Sequence, residues 1–262
     1  MPGSQPGDRR FESDRGRHNP LIDTQYRAHP ALGRGSDDDK RDGQAVVEYA
    51  TRWHAQAGGP ASTADTLEVL SLGAVKQEVF SIQYFDLPGP ALPEAKRILR
   101  QRVSKGEPEW TFKYRAGTPL PSSITACPLG ASSKWKDEAD VSVFFQALAA
   151  SGAAPAGPAR ATASARSFSR SCSVKIASGK PVPLDAVARP CKSTMKRSKF
   201  ADVNVEEWTL SSGGAVIEVS MKGPDNAATA AAFMSQVFKP LAALPGFAPE
   251  SASKTEMGSD CK

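Results

Sequence analysis

Hydrophobic and polar residues alternate with a period of two in four separate stretches, and in each the charges keep to one parity. Trp110, Phe112 and Tyr114 fall on one side, with Thr111, Lys113 and Arg115 on the other. Successive side chains of a strand point to opposite faces, so this is the signature of a strand with one apolar and one cationic face. Arg100 and Arg102 are in phase within Ile98–Arg102, as are Lys134, Lys136, Glu138 and Asp140 in the next stretch. Further on, Glu218, Ser220 and Lys222 oppose Ile217, Val219 and Met221. Four such stretches suggest strands turning a polar face toward one shared space. Phe80–Asp86 predicts another strand, stopped by Leu87-Pro88-Gly89-Pro90, and Phe168–Ile176 a further one. Glu206–Lys222 predicts a hairpin turning at Ser211-Ser212-Gly213-Gly214.

Helical spacing is rarer. After the helix-start cluster Pro224-Asp225-Asn226, the residues Phe233, Met234, Val237, Phe238 and Leu241 recur at helical intervals, and Pro240 is expected to end or kink the helix. Val46, Val47, Ala50 and Trp53 predict a short amphipathic helix over Ala45–Gln56, and Pro93–Arg97 predicts one helical turn. Many strands with few helices point to an α+β protein, an antiparallel sheet or closed barrel with helices packed outside. Residues 1–44 are too polar to offset the entropy of ordering and read as a disordered tail. Residues 45–262 read as one domain, with the Ala/Gly/Pro/Ser stretch at 149–165 as a flexible insertion.

Composition narrows the chemistry. A net charge of +5 favours acidic partners without singling out nucleic acid, and the aromatics of the 110–115 strand face away from its basic side, where they cannot stack bases between cations. His18, His29 and His54 all precede residue 55, so the body of the chain offers no imidazole for a Ser-His-Asp or Cys-His scheme or for zinc. Cys127, Cys172, Cys191 and Cys261 show no metal-ligand spacing. Cys172 and Cys191 flank the turn-rich Ser178–Pro183, where either a bridge or free thiols are compatible with the sequence. No apolar run approaches the roughly 20 residues of a membrane span, and the polar start lacks a signal-peptide core. The expectation is a soluble, cytoplasmic protein, or an extracytoplasmic one if translation starts elsewhere.

The cationic faces admit two readings. An antiparallel sheet commonly leaves one face in water, which asks nothing of the charges. Here, however, arginine and lysine dominate two neighbouring strands, and like charges set side by side repel unless an anion binds among them. Arg100, Arg102, Lys113 and Arg115 would supply forked and point-charge contacts to phosphate oxygens. Glu138, Asp140 and Glu218 are hard oxygen ligands suited to Mg²⁺ or Mn²⁺. A cation clamp with a metal suffices for phosphoryl transfer to water without histidine.

In their order and shared phase, Tyr84-Phe85-Asp86, Leu99–Arg102, Thr111–Arg115, Glu138-Ala139-Asp140, Val216–Lys222 and Ser253-Lys254-Thr255 resemble the successive strands of the CYTH, or triphosphate tunnel metalloenzyme, superfamily. The resemblance spans roughly Thr66–Met257. It implies an antiparallel eight-stranded β-barrel, a tunnel whose basic lining grips a triphosphate or polyphosphate and whose carboxylates hold Mg²⁺ or Mn²⁺. Carried over by motif, Arg100, Arg102, Lys113 and Arg115 would bind phosphate, assisted by Lys136, Lys222 and Lys254. Glu138, Asp140 and Glu218 would hold metal, and Glu138 and Glu218 would orient the attacking water. At least one of Lys134 and Lys136 is expected to be merely solvated at the strand's start. The family's opening E-x-E-x-K strand has no clear counterpart, since Glu48-Tyr49-Ala50-Thr51-Arg52 keeps only its outer charges in a segment of helical spacing. Three functions therefore compete: metal-dependent hydrolysis of a triphosphate or polyphosphate, a non-catalytic phosphate-binding module of the same fold, and an interaction protein with solvated cationic faces.

Overall fold

The computed structural model describes residues 45–73, 76–89, 95–124, 126–130, 135–147 and 160–259. The polar tail at 1–44, most of the insertion at 149–165, and Lys134 lie outside the described residues. Nine strands among the described residues close into a barrel: β1 (Val46–His54), β2 (Lys76–Asp86), β3 (Lys96–Ser104), β4 (Glu107–Ala116), β5 (Lys136–Ala147), β6 (Arg160–Lys175), β7 (Val187–Phe200), β8 (Val203–Thr209) and β9 (Ala215–Pro224). Their order around the barrel is β1-β5-β6-β4-β3-β2-β7-β8-β9, closing back on β1. The expected barrel is therefore present with one strand more than expected, and β1 and β5 run parallel while the other neighbours are antiparallel.

Strand β1 replaces the helix expected over Ala45–Gln56. Both of its faces are covered, which hides the period of two. Val47 and Trp53 point outward into the core, and Ala50 and Arg52 are buried on the inner side. Apolar residues at 46, 47, 50 and 53, drawn from two opposite faces, happen to imitate a helical stripe. Lys96 and Arg97 likewise open β3 and do not form a helical turn. At the other ambiguous stretch, Arg160–Ala165 already pair with β5, so the last part of the low-complexity region is strand.

Three of the helices pack outside the barrel. α1 (Thr63–Val69) is capped by Ser62, whose hydroxyl accepts from the Asp65 N–H, and α2 (Ala227–Phe233) by Asn226, as its helix-start cluster predicted. Pro240 does not end the helical segment. A π-turn (Met234–Phe238), in which the Lys239 N–H reaches the Met234 carbonyl, absorbs the missing donor of Pro240, and α3 (Lys239–Ala242) follows. Phe233, Val237, Phe238 and Leu241 pack on Val47, Val205, Ile217 and Val219. α4 (Lys254–Ser259) ends the described chain. Gly58 (φ +72°) lies so close to Gly246 that an added Cβ would stand 2.2 Å from its carbonyl oxygen, and this contact lets the segment after α3 run back past β1.

On the opposite outer wall, Leu99, Trp110, Phe112 and Phe85 form a second core, closed by a Cys127–Cys172 disulfide with Cα atoms 6.1 Å apart. Cys172 thus does not pair with Cys191. The turn-rich link between them crosses from β6 to β7, and β4, β3 and β2 lie between those strands in the barrel. No helix of the described residues is long and apolar enough to cross a membrane.

Candidate active site

Register carries one parity around the whole barrel wall. Tyr84 faces Arg100 across β2 and β3, Arg100 faces Thr111, Lys113 faces Ser171, Glu138 faces Ser169, Glu48 faces Asp140 and Lys222, and Arg52 faces Glu218. Residues opposite one another in a ladder share a face, so the four in-phase stretches of the sequence point into one interior. The aromatics Trp110 and Phe112 point the other way, into the outer core.

Three carboxylates meet inside. Glu48, Glu138 and Asp140 each bring an oxygen within 4.8 Å of the others. Lys222 donates to Glu138 Oε1 at 2.7 Å and lies 3.5 Å from Glu48 Oε2, while Arg115 and Lys113 stand 3.3 and 3.9 Å from Asp140 Oδ2. Burial would raise the Glu48 carboxyl, but Lys222, Lys254 and Lys113 outweigh it and hold the group at about 2. The same surroundings raise Lys222 against the opposing pull of its burial, through Glu48 and Glu138. Lys113 is lowered because its burial outweighs the attraction of Asp140. Three carboxylate oxygens this close together could hold a metal ion.

Glu218 is not part of this group. It is 1% exposed, and both of its oxygens are taken: Arg52 Nε donates to Oε2 at 2.8 Å and Lys254 Nζ to Oε1 at 2.7 Å. Lys254 also donates to Glu206 at 2.9 Å, and Trp208 Nε1 donates to the same Glu206 oxygen at 3.0 Å. Burial pushes the Glu218 carboxyl up, yet Lys254 and Arg52 keep it below its ordinary value. Lys254 is set by a capping box at the start of α4, in which the Ser253 N–H donates to Glu256 and the Glu256 N–H donates to the Ser253 hydroxyl.

The predicted phosphate-binding cations divide in the same way. Arg100 presents an Nε that is buried without a partner, as do Arg102, Arg115 and Arg197. Such buried donors are costly unless a ligand satisfies them. Arg102 pairs with Glu109 at 2.6 Å and Arg197 with Glu78 at 2.6 Å, and both guanidinium groups lie over the Phe80 ring, at 4.8 and 4.9 Å. Lys136 is exposed at the start of β5, where one solvated lysine was expected.

Glu48, Arg52, Glu78, Glu109, Glu206 and Arg197 are among the interior charges that sequence reasoning did not place. For β1 the signal was present in the shared parity of Glu48, Ala50 and Arg52. In β7 it was not, because charges at Lys192, Lys196, Arg197 and Lys199 occupy both parities.

No family model matches the chain, and no curated protein matches it. Among solved structures, it is similar to a Hippeastrum protein described as having a dominant triphosphatase activity, at 10% identity and a TM-score of 0.44, over 80% of this chain and 92% of that one. It is also similar to a Pyrococcus horikoshii protein, at 12% identity and a TM-score of 0.41 over 80% and 97% of the two chains. A conserved hypothetical protein of Pyrococcus furiosus gives 14% identity and a TM-score of 0.38 over 80% and 98%. At these values the reading of the site rests on its own residues.

Proposed function

We propose that the barrel binds a triphosphate or polyphosphate and hydrolyses it with the help of Mg²⁺ or Mn²⁺. The observation that carries this reading is the convergence of Glu48, Glu138 and Asp140 on the interior face that also carries Arg100, Lys113, Arg115 and Lys222. Three carboxylates beside Lys113, Arg115 and Lys222 sum to no net charge. A divalent ion among them would leave the site with two positive charges, matched to a polyanion, so metal and phosphate favour each other's binding.

In this mechanism Arg100, Lys113 and Arg115 hold phosphoryl oxygens in line and offset the charge on the leaving phosphate. Arg102 takes part by turning from Glu109 to the substrate, and Lys136 meets the anion at the entrance. Glu48, Glu138 and Asp140 would hold the ion, which supplies Lewis-acid polarisation at the phosphoryl oxygens. Glu138, which shares Lys222 with Glu48, accepts a hydrogen bond from the attacking water. Glu218 serves through Lys254, keeping that ammonium fixed in the interior. Phosphate release from tripolyphosphate with Mn²⁺, set against chelator and against Glu138→Gln, tests the reading. Release that requires the ion and Glu138 is expected, and no release under any metal condition overturns the hydrolytic assignment.

A second reading has its own observation. Ala50 occupies the inner position between Glu48 and Arg52, where the family resemblance calls for a second carboxylate. A site short of that ligand would bind the phosphate chain without cleaving it. Metal-independent stabilisation by tripolyphosphate, with no phosphate released, is the result that favours this module.

A further inference from the structure

Strand β6 has two unlike faces. Outward it carries Arg166, Phe168 and Arg170, whereas its inner positions Ala165, Ser167, Ser169, Ser171 and Ser173 hold nothing larger than serine. Alternation along a strand makes this a property of one parity and not of a small-residue segment. Ala165 and Ser173 face the interior and are nevertheless exposed, so the space above the row is open to solvent.

The row lies between the two halves of the candidate site. Ser169 stands between Glu138 of β5 and Arg115 of β4, Ser171 between Lys136 and Lys113, and Ser167 beside Asp140. Directly opposed residues bring their Cβ atoms to about 5 Å. Ser169 therefore neighbours a carboxylate of the metal-holding group on one side and a phosphate-binding cation on the other.

Ser169 is 3% exposed and its hydroxyl has no hydrogen-bond partner, and the Nε of Arg115 beside it has none either. The Ser173 hydroxyl, on the same face, is by contrast paired with Thr111 at 2.9 Å. A buried hydroxyl left unpaired lowers stability, and an alanine in its place would avoid the loss. The flanking charges are already engaged, Glu138 with Lys222 and Arg115 with Asp140. What remains for the hydroxyl to meet is a group that enters the barrel.

We propose that Ser169 is a substrate-binding residue, whose hydroxyl donates to a non-bridging oxygen of the phosphoryl group held between Arg115 and the Glu48, Glu138 and Asp140 group. This rests on the phosphate-binding reading above and adds to it a neutral donor that fixes where along the wall that phosphoryl group sits. The small neighbours Ser167 and Ser171 leave it room. A hydroxyl suits the place because another cation there would compete with a metal for the carboxylates, and another carboxylate would repel the phosphate.

Threonine and valine share a shape and differ in the hydroxyl, so Ser169→Thr and Ser169→Val in the full chain separate the hydrogen bond from side-chain size. Calorimetry with Mn²⁺ reads tripolyphosphate affinity, and the melting temperature is read without ligand. Ser164→Val, on the exposed outer face of β6, is the control and should change neither. The valine variant is expected to bind tripolyphosphate about tenfold more weakly than the threonine variant, the scale of one hydrogen bond to a charged group. Its melting temperature should equal or exceed that of the threonine variant. Equal affinities overturn the assignment, and so does a valine variant that melts lower, since the hydroxyl would then serve the fold. Ser169→Ala adds no bulk and should show a similar loss against the unaltered chain; unchanged affinity in that variant also overturns the assignment. If the unaltered chain binds tripolyphosphate no better than sulfate at matched ionic strength, the phosphate reading falls, and the role of Ser169 with it.

Discussion

Two groups of carboxylates share the barrel interior, and they are held in opposite ways. Glu206 and Glu218 are almost wholly buried, and Arg52, Lys254 and Trp208 address their oxygens at 2.7 to 3.0 Å. Glu48, Glu138 and Asp140 keep about 15% of their side-chain surface, and their cations stand at 2.7 to 3.9 Å. A sealed ion network of this kind fixes architecture, because removing one member leaves a buried charge short of a partner. A group with looser partners and a path to solvent can exchange them for a metal and a phosphate. Two sets of acidic residues of the same sequence parity therefore carry different duties, and only packing separates them.

The largest effect that would break this contrast is on stability. Glu218→Gln leaves Arg52 buried without its counter-ion and Lys254 with Glu206 alone, and should cost about 3–5 kcal/mol in urea unfolding. A loss below about 1 kcal/mol would mean that the sealed group is no more structural than a surface pair. Glu138→Gln should do the reverse, leaving the unfolding midpoint nearly unchanged while lowering tripolyphosphate turnover on the order of 10²-fold. Unaltered turnover in a folded variant would remove Glu138 from the chemistry.

Lys222→Ala should sharpen the picture. Freed of its ammonium, the open group should bind Mn²⁺ more tightly while tripolyphosphate affinity falls about tenfold, the scale of one charge-assisted contact. Parallel losses of both, measured by calorimetry, would show that Lys222 only supports the fold. The smallest effect concerns acid. Glu48 is held at about 2, below its ordinary 4.5, so the unfolded chain takes up the proton first as pH falls. Its contribution is complete above about pH 4.5 and fades toward pH 2. In Glu48→Gln the melting temperature should therefore depend less on pH across that window, and an unchanged profile would contradict the depressed value.

Legibility in the sequence followed the covering of each strand's two faces. β4 and β9 each set aromatic or aliphatic residues against charges, so Lys113, Arg115, Glu218 and Lys222 were placed on the inner face from spacing alone. β1 lies beneath helices on one side and inside the barrel on the other, and its apolar residues on both faces imitated a helix. This concealed Glu48, the third member of the open group. Spacing could not tell Glu138 from Glu218, since what separates them is the arrival of Arg52 and of Lys254, the latter from 36 residues away. The Cys127–Cys172 bridge was hidden for a related reason: the two residues are 45 positions apart and meet only once β4 and β6 are side by side.

The placement of β1 also sets a schedule for folding. Its neighbours are β5 and β9, and the ion pair joining Arg52 to Glu218 spans 166 positions. Until β9 has been synthesised the opening strand lacks a partner on one edge and the sheet cannot close, however well its interior hairpins have formed. Long-range closure of this kind is slow and leaves strand edges open in the meantime. On the ribosome, one edge of β1 stays unpaired until β9 emerges, with Glu218 166 positions beyond Arg52.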